Sequence, residues 1–196
     1  LTAHIAHLDP HIVLPGPEIL HPYFLATYVD SAKDRPFKQM INRLLQPQLA
    51  HASVKNRPDP RVIAILSDRW NKESSVYRCY ARAIEELAKR YTLVLVHLGR
   101  QDKGKMDSRL FREVRHVLAD QGGIDITEVH ENDFQLAFFP DIGMSYESLY
   151  LSLFRIAPIQ VMAYGHPSST YGGEIDYFLG VRDLERLDEA EANYTE

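Results

Sequence analysis

The 196 residues hold a single cysteine, Cys79. One thiol excludes an internal disulfide, so the fold must rest on its core, and this fits a reducing, cytoplasmic compartment. Long apolar runs are also missing. None approaches the roughly 20 residues that a membrane-spanning helix needs. Positive charge is in short supply, with 22 Lys and Arg against 27 Asp and Glu, a net charge of −5. That balance gives no electrostatic reason for general binding to nucleic acid or to an anionic membrane. No Gly-x-Gly-x-x-Gly and no Gly-x-x-x-x-Gly-Lys-Ser/Thr occurs, which argues against dinucleotide and P-loop sites of the usual kind. The first residues, Leu1-Thr-Ala-His-Ile5, offer no basic leader, and the last, Glu191-Ala-Asn-Tyr-Thr-Glu196, offer no cap chemistry. The expectation is a segment of a longer protein.

What is present is the composition of a soluble globular domain, 45% apolar and 25% charged. Residues 1–60 hold five of the nine histidines (His4, His7, His11, His21 and His51) and eight prolines, ending in Asn56-Arg-Pro-Asp-Pro60. Prolines at this density break helices and fix extended or turn backbone. One helix is predicted over 37–45, with Phe37, Ile41, Leu44 and Leu45 at helical spacing. The region reads as an N-terminal arm and linker, and residues 61–196 as the domain. There the pattern becomes regular. Apolar strands are predicted at 61–67, 92–98, 124–129, 134–139, 159–164 and 175–179. Helices are predicted at 74–90, 108–121, 144–155 and 182–191, the last an acidic surface helix. The 108–121 stripe is Leu110, Phe111, Val114, Val117 and Leu118, stopped by Gly122-Gly123. Strand–helix alternation with continuous apolar strands gives an α/β fold, a doubly wound parallel sheet covered on both faces. Ligands of such sheets sit beyond the carboxyl ends of the strands.

Three strand exits carry the candidate chemistry. The first reads Ser67-Asp-Arg-Trp-Asn-Lys-Glu-Ser-Ser-Val-Tyr-Arg78 and opens a helix whose first amides suit an anion. Ser74 or Ser75 is its cap, and Tyr77 and Arg78 lie on its first turns. A capped surface helix accounts for the same residues. The second is Phe139-Pro-Asp-Ile-Gly-Met144, where Asp141, Gly143 and Met144 form either a site or a plain turn. The third is Gly165-His-Pro-Ser-Ser-Thr170. Gly165 permits unusual backbone, Pro167 stiffens the turn, and His166 is presented as an acid–base or hydrogen-bonding group. Ser168, Ser169 and Thr170 offer hydroxyls to a sugar or a phosphate. Cys79 reads as a buried, inert thiol. The His4, His7, His11 spacing suits a metal on a helix, but Asp9-Pro10 interrupts any such helix.

The stretch Ala157-Pro-Ile-Gln-Val-Met-Ala-Tyr-Gly-His-Pro-Ser-Ser-Thr170, followed by Ile175-Asp-Tyr177, resembles the hallmark of the O-GlcNAc transferase-like glycosyltransferases (family 41). Within them it is most similar to the bacterial cytoplasmic N-glucosyltransferases of high-molecular-weight adhesins. Pro140-Asp-Ile-Gly-Met144 and Ser75-Val-Tyr-Arg78 share the resemblance, which covers residues 61–196. It implies a GT-B fold of two Rossmann-like halves, with this chain as the first and the donor held mainly by the second. It further implies an inverting transfer of glucose or GlcNAc from UDP-glucose or UDP-GlcNAc to Asn or Ser/Thr of a protein or peptide acceptor. No metal and no other cofactor are implied, and no Asp-x-Asp motif occurs. By resemblance His166 is catalytic. Ser75, Tyr77, Arg78, Asp141, Gly143, Met144, Gly165, Pro167, Ser169 and Thr170 contact substrate or donor. One position departs from the family pattern: Ser74 stands where the family often has a histidine. The alternative is a non-catalytic module that binds a nucleotide sugar or a partner through a degenerate cleft.

Overall fold

The computed structural model describes residues 16–28, 31–49, 54–99, 105–120, 123–163, 169–183 and 194–195. Successive side chains of a strand point to opposite faces, so an unbroken apolar run must find a hydrophobic layer on each side. Strand β1 (Lys55–Ser67) does so. Val62, Ala64 and Leu66 enter one core, and Ile63 and Ile65 enter a second on the other face. Strand β2 (Thr92–Leu98) divides in the same way, with Val94, Val96 and Leu98 against Leu93 and Leu95. The remaining strands are β3 (Glu113–Asp120), β4 (Gly123–Asp125), β5 (Glu131–Phe139), β6 (Ile159–Ala163) and β7 (Tyr177–Leu179). They form one sheet in the order β4-β3-β2-β1-β5-β6-β7, parallel throughout except for β4. The chain therefore starts in the middle, winds outward, and returns to the other side of β1. The doubly wound α/β expectation holds.

Helices α1 (Gly16–Ala26) and α2 (Ser31–Leu49) pack on one face, together with α4 (Thr127–His130) and α5 (Tyr146–Leu151). Helix α3 (Ser75–Ala88) covers the other through Ile84, with Tyr80 and Leu87 packed against the same core. Ser74 caps it, its hydroxyl accepting from the Val76 amide at 3.1 Å. Cys79 lies outward on α3 and is exposed, not buried. The helical stripe passes it by, because Val76 and Ile84 set the inward face.

Several predicted elements differ. The helix expected over 37–45 spans Ser31–Leu49, and Phe37, Ile41 and Leu45 are core residues, as are Ile19 and Tyr23 of α1. Strand β1 begins at Lys55, ahead of the expected start at 61, with Pro58 and Pro60 inside it. Its pairing with β2 starts only at Val62, and its register with β5 shifts around Asp59. Prolines are tolerated there because the ladder has one irregular neighbour. The helix expected at 108–121 is instead β3. Its spacing fitted a helix, but β2 offers an open edge, and Leu95 pairs with Val114 and Leu98 with Val117. Sheet pairing outweighs local propensity. The strand expected at 124–129 splits into β4 and α4. Residues 184–193, most of the expected acidic helix, and His4, His7 and His11 lie outside the described residues. Among the described residues, no helix is long and apolar enough to cross a membrane.

Leu45 of α2 is fully buried in the same core as β1. Leu45→Ala is expected to lower unfolding stability by about 2–5 kcal/mol in urea titration, as core truncations do. A loss below about 1 kcal/mol would place α2 outside the cooperative core.

Candidate functional site

The strand order reverses between β1 and β5, and the crevice at their carboxyl ends is where such sheets bind ligands. The first turns beyond the strands build a cavity of about 510 Å³ at that edge. Asp68, Arg69 and Trp70 come from the exit of β1, Ser74 and Ser75 from the start of α3, His97 from the end of β2, and Met144 from the exit of β5. Gly99, just past β2, turns with φ +78°, the left-handed region that favours glycine. Gly143 turns the exit of β5 in the same way, with φ +88°. Met144 is thereby brought to the cavity.

Two acids form the floor. Asp141 is fully buried and accepts from the Ser67 hydroxyl at 2.7 Å. Ser67 is tied in turn, its oxygen accepting from the Arg69 amide at 2.9 Å. This pair of bonds joins the exits of β1 and β5. Asp68 is 6% exposed, and its Oδ2 meets Arg69 Nε at 3.0 Å. Burial pushes the Asp68 carboxyl up to about 6 against the lowering charge of Arg69. Burial, followed by the charge of Asp68, holds Asp141 well above the usual carboxylate range.

The sequence-predicted residues separate into three groups. Ser75 and Met144 line the cavity, and Asp141 and Gly143 support it. Tyr77 and Arg78 do not line it. The Tyr77 hydroxyl donates to Asp107 at 2.7 Å, and exposed Arg78 donates to the Glu73 carbonyl at 2.8 Å. Helix α3 turns Tyr77 toward the Trp70 ring, 5.1 Å away, and Arg78 outward to solvent. Gly165, His166 and Pro167 lie outside the described residues, as does Ser168.

Ser169 and Thr170 are described, and both are buried. The Ser169 hydroxyl accepts from the Tyr171 amide at 3.1 Å and pairs with Thr195 at 2.8 Å. Thr170 Oγ1 accepts from the Gly173 amide at 3.3 Å. These hydroxyls brace the turn rather than stand open to a ligand. Helix α2 holds the same turn. Asn42 donates to the Thr170 carbonyl at 2.9 Å, and buried Lys38 pairs with Asp34 and lies 4.9 Å over the Tyr23 ring. Gln160, in the middle of the hallmark stretch, is also structural: its oxygen accepts from the Ile156 amide at 2.8 Å and its amide donates to the Phe154 carbonyl at 2.9 Å.

Sequence reading passed over Asp68 and His97. Asp68 had a signal, an acid immediately beyond the first buried strand. His97 is the one imidazole in the apolar run of β2, two residues from its exit. It is buried, and its ring lies 5.6 Å from that of His116.

No protein-family model matches the chain. Two curated relatives do. The chain is 23% identical over 172 residues to a UDP-glucose:protein N-beta-glucosyltransferase of Actinobacillus pleuropneumoniae serotype 5b, covering 80% of this chain and 27% of that protein. The same protein from serotype 7 gives the same identity and coverage. Among solved structures, a mutant O-GlcNAc transferase of Thermobaculum terrenum superposes with a TM-score of 0.59 at 16% identity, over 90% of this chain and 36% of that one. The chain is thus similar in sequence to these protein N-glucosyltransferases and shares its fold with part of an O-GlcNAc transferase. It spans about a quarter of the length of the curated relatives it matches.

The acidic floor has a consequence for stability. Both carboxyls are raised on folding, so the folded state binds more protons than the unfolded state between about pH 4 and 6 and above. The Asp68 contribution is fully present below the unfolded value of 3.8 and is lost as pH rises through about 6, and that of Asp141 is lost at higher pH than an ordinary carboxyl's. Asp68→Asn is therefore expected to raise the melting temperature at pH 8, with the gain shrinking toward pH 4. Melting curves across that range check this; a gain that is flat with pH would remove the buried-charge account.

Proposed function

We propose that the full-length protein is an inverting glycosyltransferase that moves a hexose from a UDP-sugar to a protein side chain. One observation carries this reading. The cavity lies at the strand-order reversal of a chain whose curated relatives are UDP-glucose:protein N-beta-glucosyltransferases. UDP-glucose is the donor this similarity favours over UDP-GlcNAc, and Asn or Ser/Thr is the acceptor residue. The acceptor atom attacks the anomeric carbon from the face opposite the UDP oxygen, so one bond forms as the other breaks.

This chain supplies the acceptor side of the reaction. The charge that stabilises departing UDP comes from the C-terminal half of the same protein, which faces this sheet edge across the cleft. The reading needs no metal and no other cofactor. It places the protein in a bacterial cytoplasm, acting on protein or peptide acceptors rather than on nucleic acid or membranes. His166 acts at the acceptor side as a hydrogen-bonding or acid–base group.

The test is mass spectrometry of an acceptor peptide incubated with full-length protein and either UDP-glucose or UDP-GlcNAc, with chelator present. The expected result is addition of a single hexose, with glucose preferred. His166→Ala is expected to lower turnover by about 10²- to 10⁴-fold while the melting temperature stays near that of the parent. Donor binding without transfer to any acceptor would favour a non-catalytic binding module instead.

A further inference from the structure

Strands in register set matched residues side by side, so one face of a sheet carries rows of side chains across the strands. On the face toward α3, Ile63 of β1 lies beside Leu93 of β2, and Ile65 beside Leu95 and then Val114 of β3. The next matched positions are Ser67, His97 and His116. Two apolar rows therefore give way to a polar one at the carboxyl edge, where the cavity opens. Asp141 extends that row from the exit of β5 by accepting from Ser67. His97 is buried and lines the cavity, and the His116 ring stands 5.6 Å from it, inclined at 66°. His116 Nδ1 is shielded from solvent and has no hydrogen-bond partner among the described residues.

Glycosyl transfer to a side chain needs a group that takes a proton as the new bond forms. Much of the cavity wall is unsuited to this. Arg69 and Lys105 are cations, and the Ser74 hydroxyl caps α3. Asp68 Oδ2 meets Arg69 Nε at 3.0 Å, and Glu73 Oε2 meets Lys105 Nζ at 3.5 Å. An opposite charge at that range weakens a carboxylate as a base. An imidazole takes and returns a proton near neutrality, and His97 is the imidazole of this wall.

We propose that His97 is the proton acceptor for the attacking group of the substrate, with His116 as the positioning residue beside it. This role rests on the glycosyl-transfer reading. In the step itself, the acceptor lone pair forms the new bond to the anomeric carbon. The bond from that carbon to the UDP oxygen breaks, and its electrons leave on phosphate. The acceptor O–H or N–H proton moves to the His97 ring and is later released to water. Charged groups surround that proton on every side: Asp68 and Arg69 after β1, Glu73 before α3, Lys105 after β2, Asp141 after β5, and Glu147 of α5, which accepts from the Ala119 amide at 3.0 Å. The carboxylates favour the imidazolium while it exists, and any positive charge on His116 opposes it. His97 is thereby placed by the register of the sheet rather than by a motif.

Rates of the full-length protein with UDP-glucose and an acceptor peptide test the role. His97→Gln is expected to lose about 10²- to 10⁴-fold in kcat with KM for the donor near that of the parent. Added imidazole is expected to restore part of the rate of His97→Ala, a response that a structural histidine does not give. A His97→Gln protein with the parent kcat, or a His97→Ala protein indifferent to imidazole, overturns the role and leaves the glycosyl-transfer reading standing. Should the His97 variants not fold, His116→Gln carries the test. Removing a neighbour whose charge opposes the proton on His97 is expected to move the acid limb of kcat/KM to higher pH, and an unmoved limb overturns the proposal. A parent protein that transfers no sugar from UDP-glucose or UDP-GlcNAc overturns the role together with the reading beneath it.

Discussion

The bridge between the carboxyl ends of β1 and β5 is the contact on which the rest of this structure turns. These strands are neighbours in the sheet but far apart in the chain, and the Ser67 hydroxyl joins them through Asp141 at 2.7 Å. Winding the chain outward from β1 and then restarting beside it leaves a crevice at this point, because the crossovers on the two sides depart in opposite directions. The loop after β1 and the loop after β5 must then share a small space. Ser67 lets them do so by donating to one loop through its hydroxyl and accepting from the other through its oxygen.

That junction is assembled at some expense of stability. Asp141 and Asp68 are buried where a pair of apolar residues would pack without desolvation. A fold selected only for stability has little use for two acids beside one half-exposed arginine. The strain is affordable because the sheet around them is covered on both faces, by α3 on one side and by α1, α2 and α5 on the other. The N-terminal helices do more than cover. Through Asn42 and Lys38, α2 also grips the turn at 169–171, where Tyr171 adopts a positive φ of 53°. A left-handed tyrosine persists only where its surroundings over-determine it. The carboxyl edge of the sheet is therefore braced from beneath by the proline-rich N-terminal segment.

The 108–121 segment has apolar residues at helical spacing, and Val114 and Val117 satisfy that pattern as well as they satisfy a strand. Only the free edge of β2 distinguishes the two, and an edge is not a local property. Pro58 and Pro60 suggest a linker because dense prolines break helices and fix extended or turn backbone, but on the β2 side pairing begins only at Val62, so an extended, proline-bearing stretch continues the strand there. Ser169 and Thr170 read as open hydroxyls, but each accepts from an amide of its own turn, Tyr171 and Gly173, and Ser169 also meets the distant Thr195. Gln160 and Asp176, within or beside the hallmark stretch, turn out to hold its backbone, Gln160 through Ile156 and Asp176 through the Gln160 amide at 2.8 Å.

The sequence by itself determined the covered parallel sheet, since unbroken apolar runs in β1 and β2 demand a layer on each face, and a serine-capped start of α3, since Ser74 and Ser75 precede an amphipathic stripe. Both follow from chemistry within one or two turns of chain. Only the tertiary structure decided which residues share the cavity and what state they are in. Asp68 and Asp141 are ordinary acids in sequence, each at a strand exit. Their proton affinity is set by burial and by charges brought near from distant parts of the chain, and the field at a carboxyl depends on what lies beside it in space.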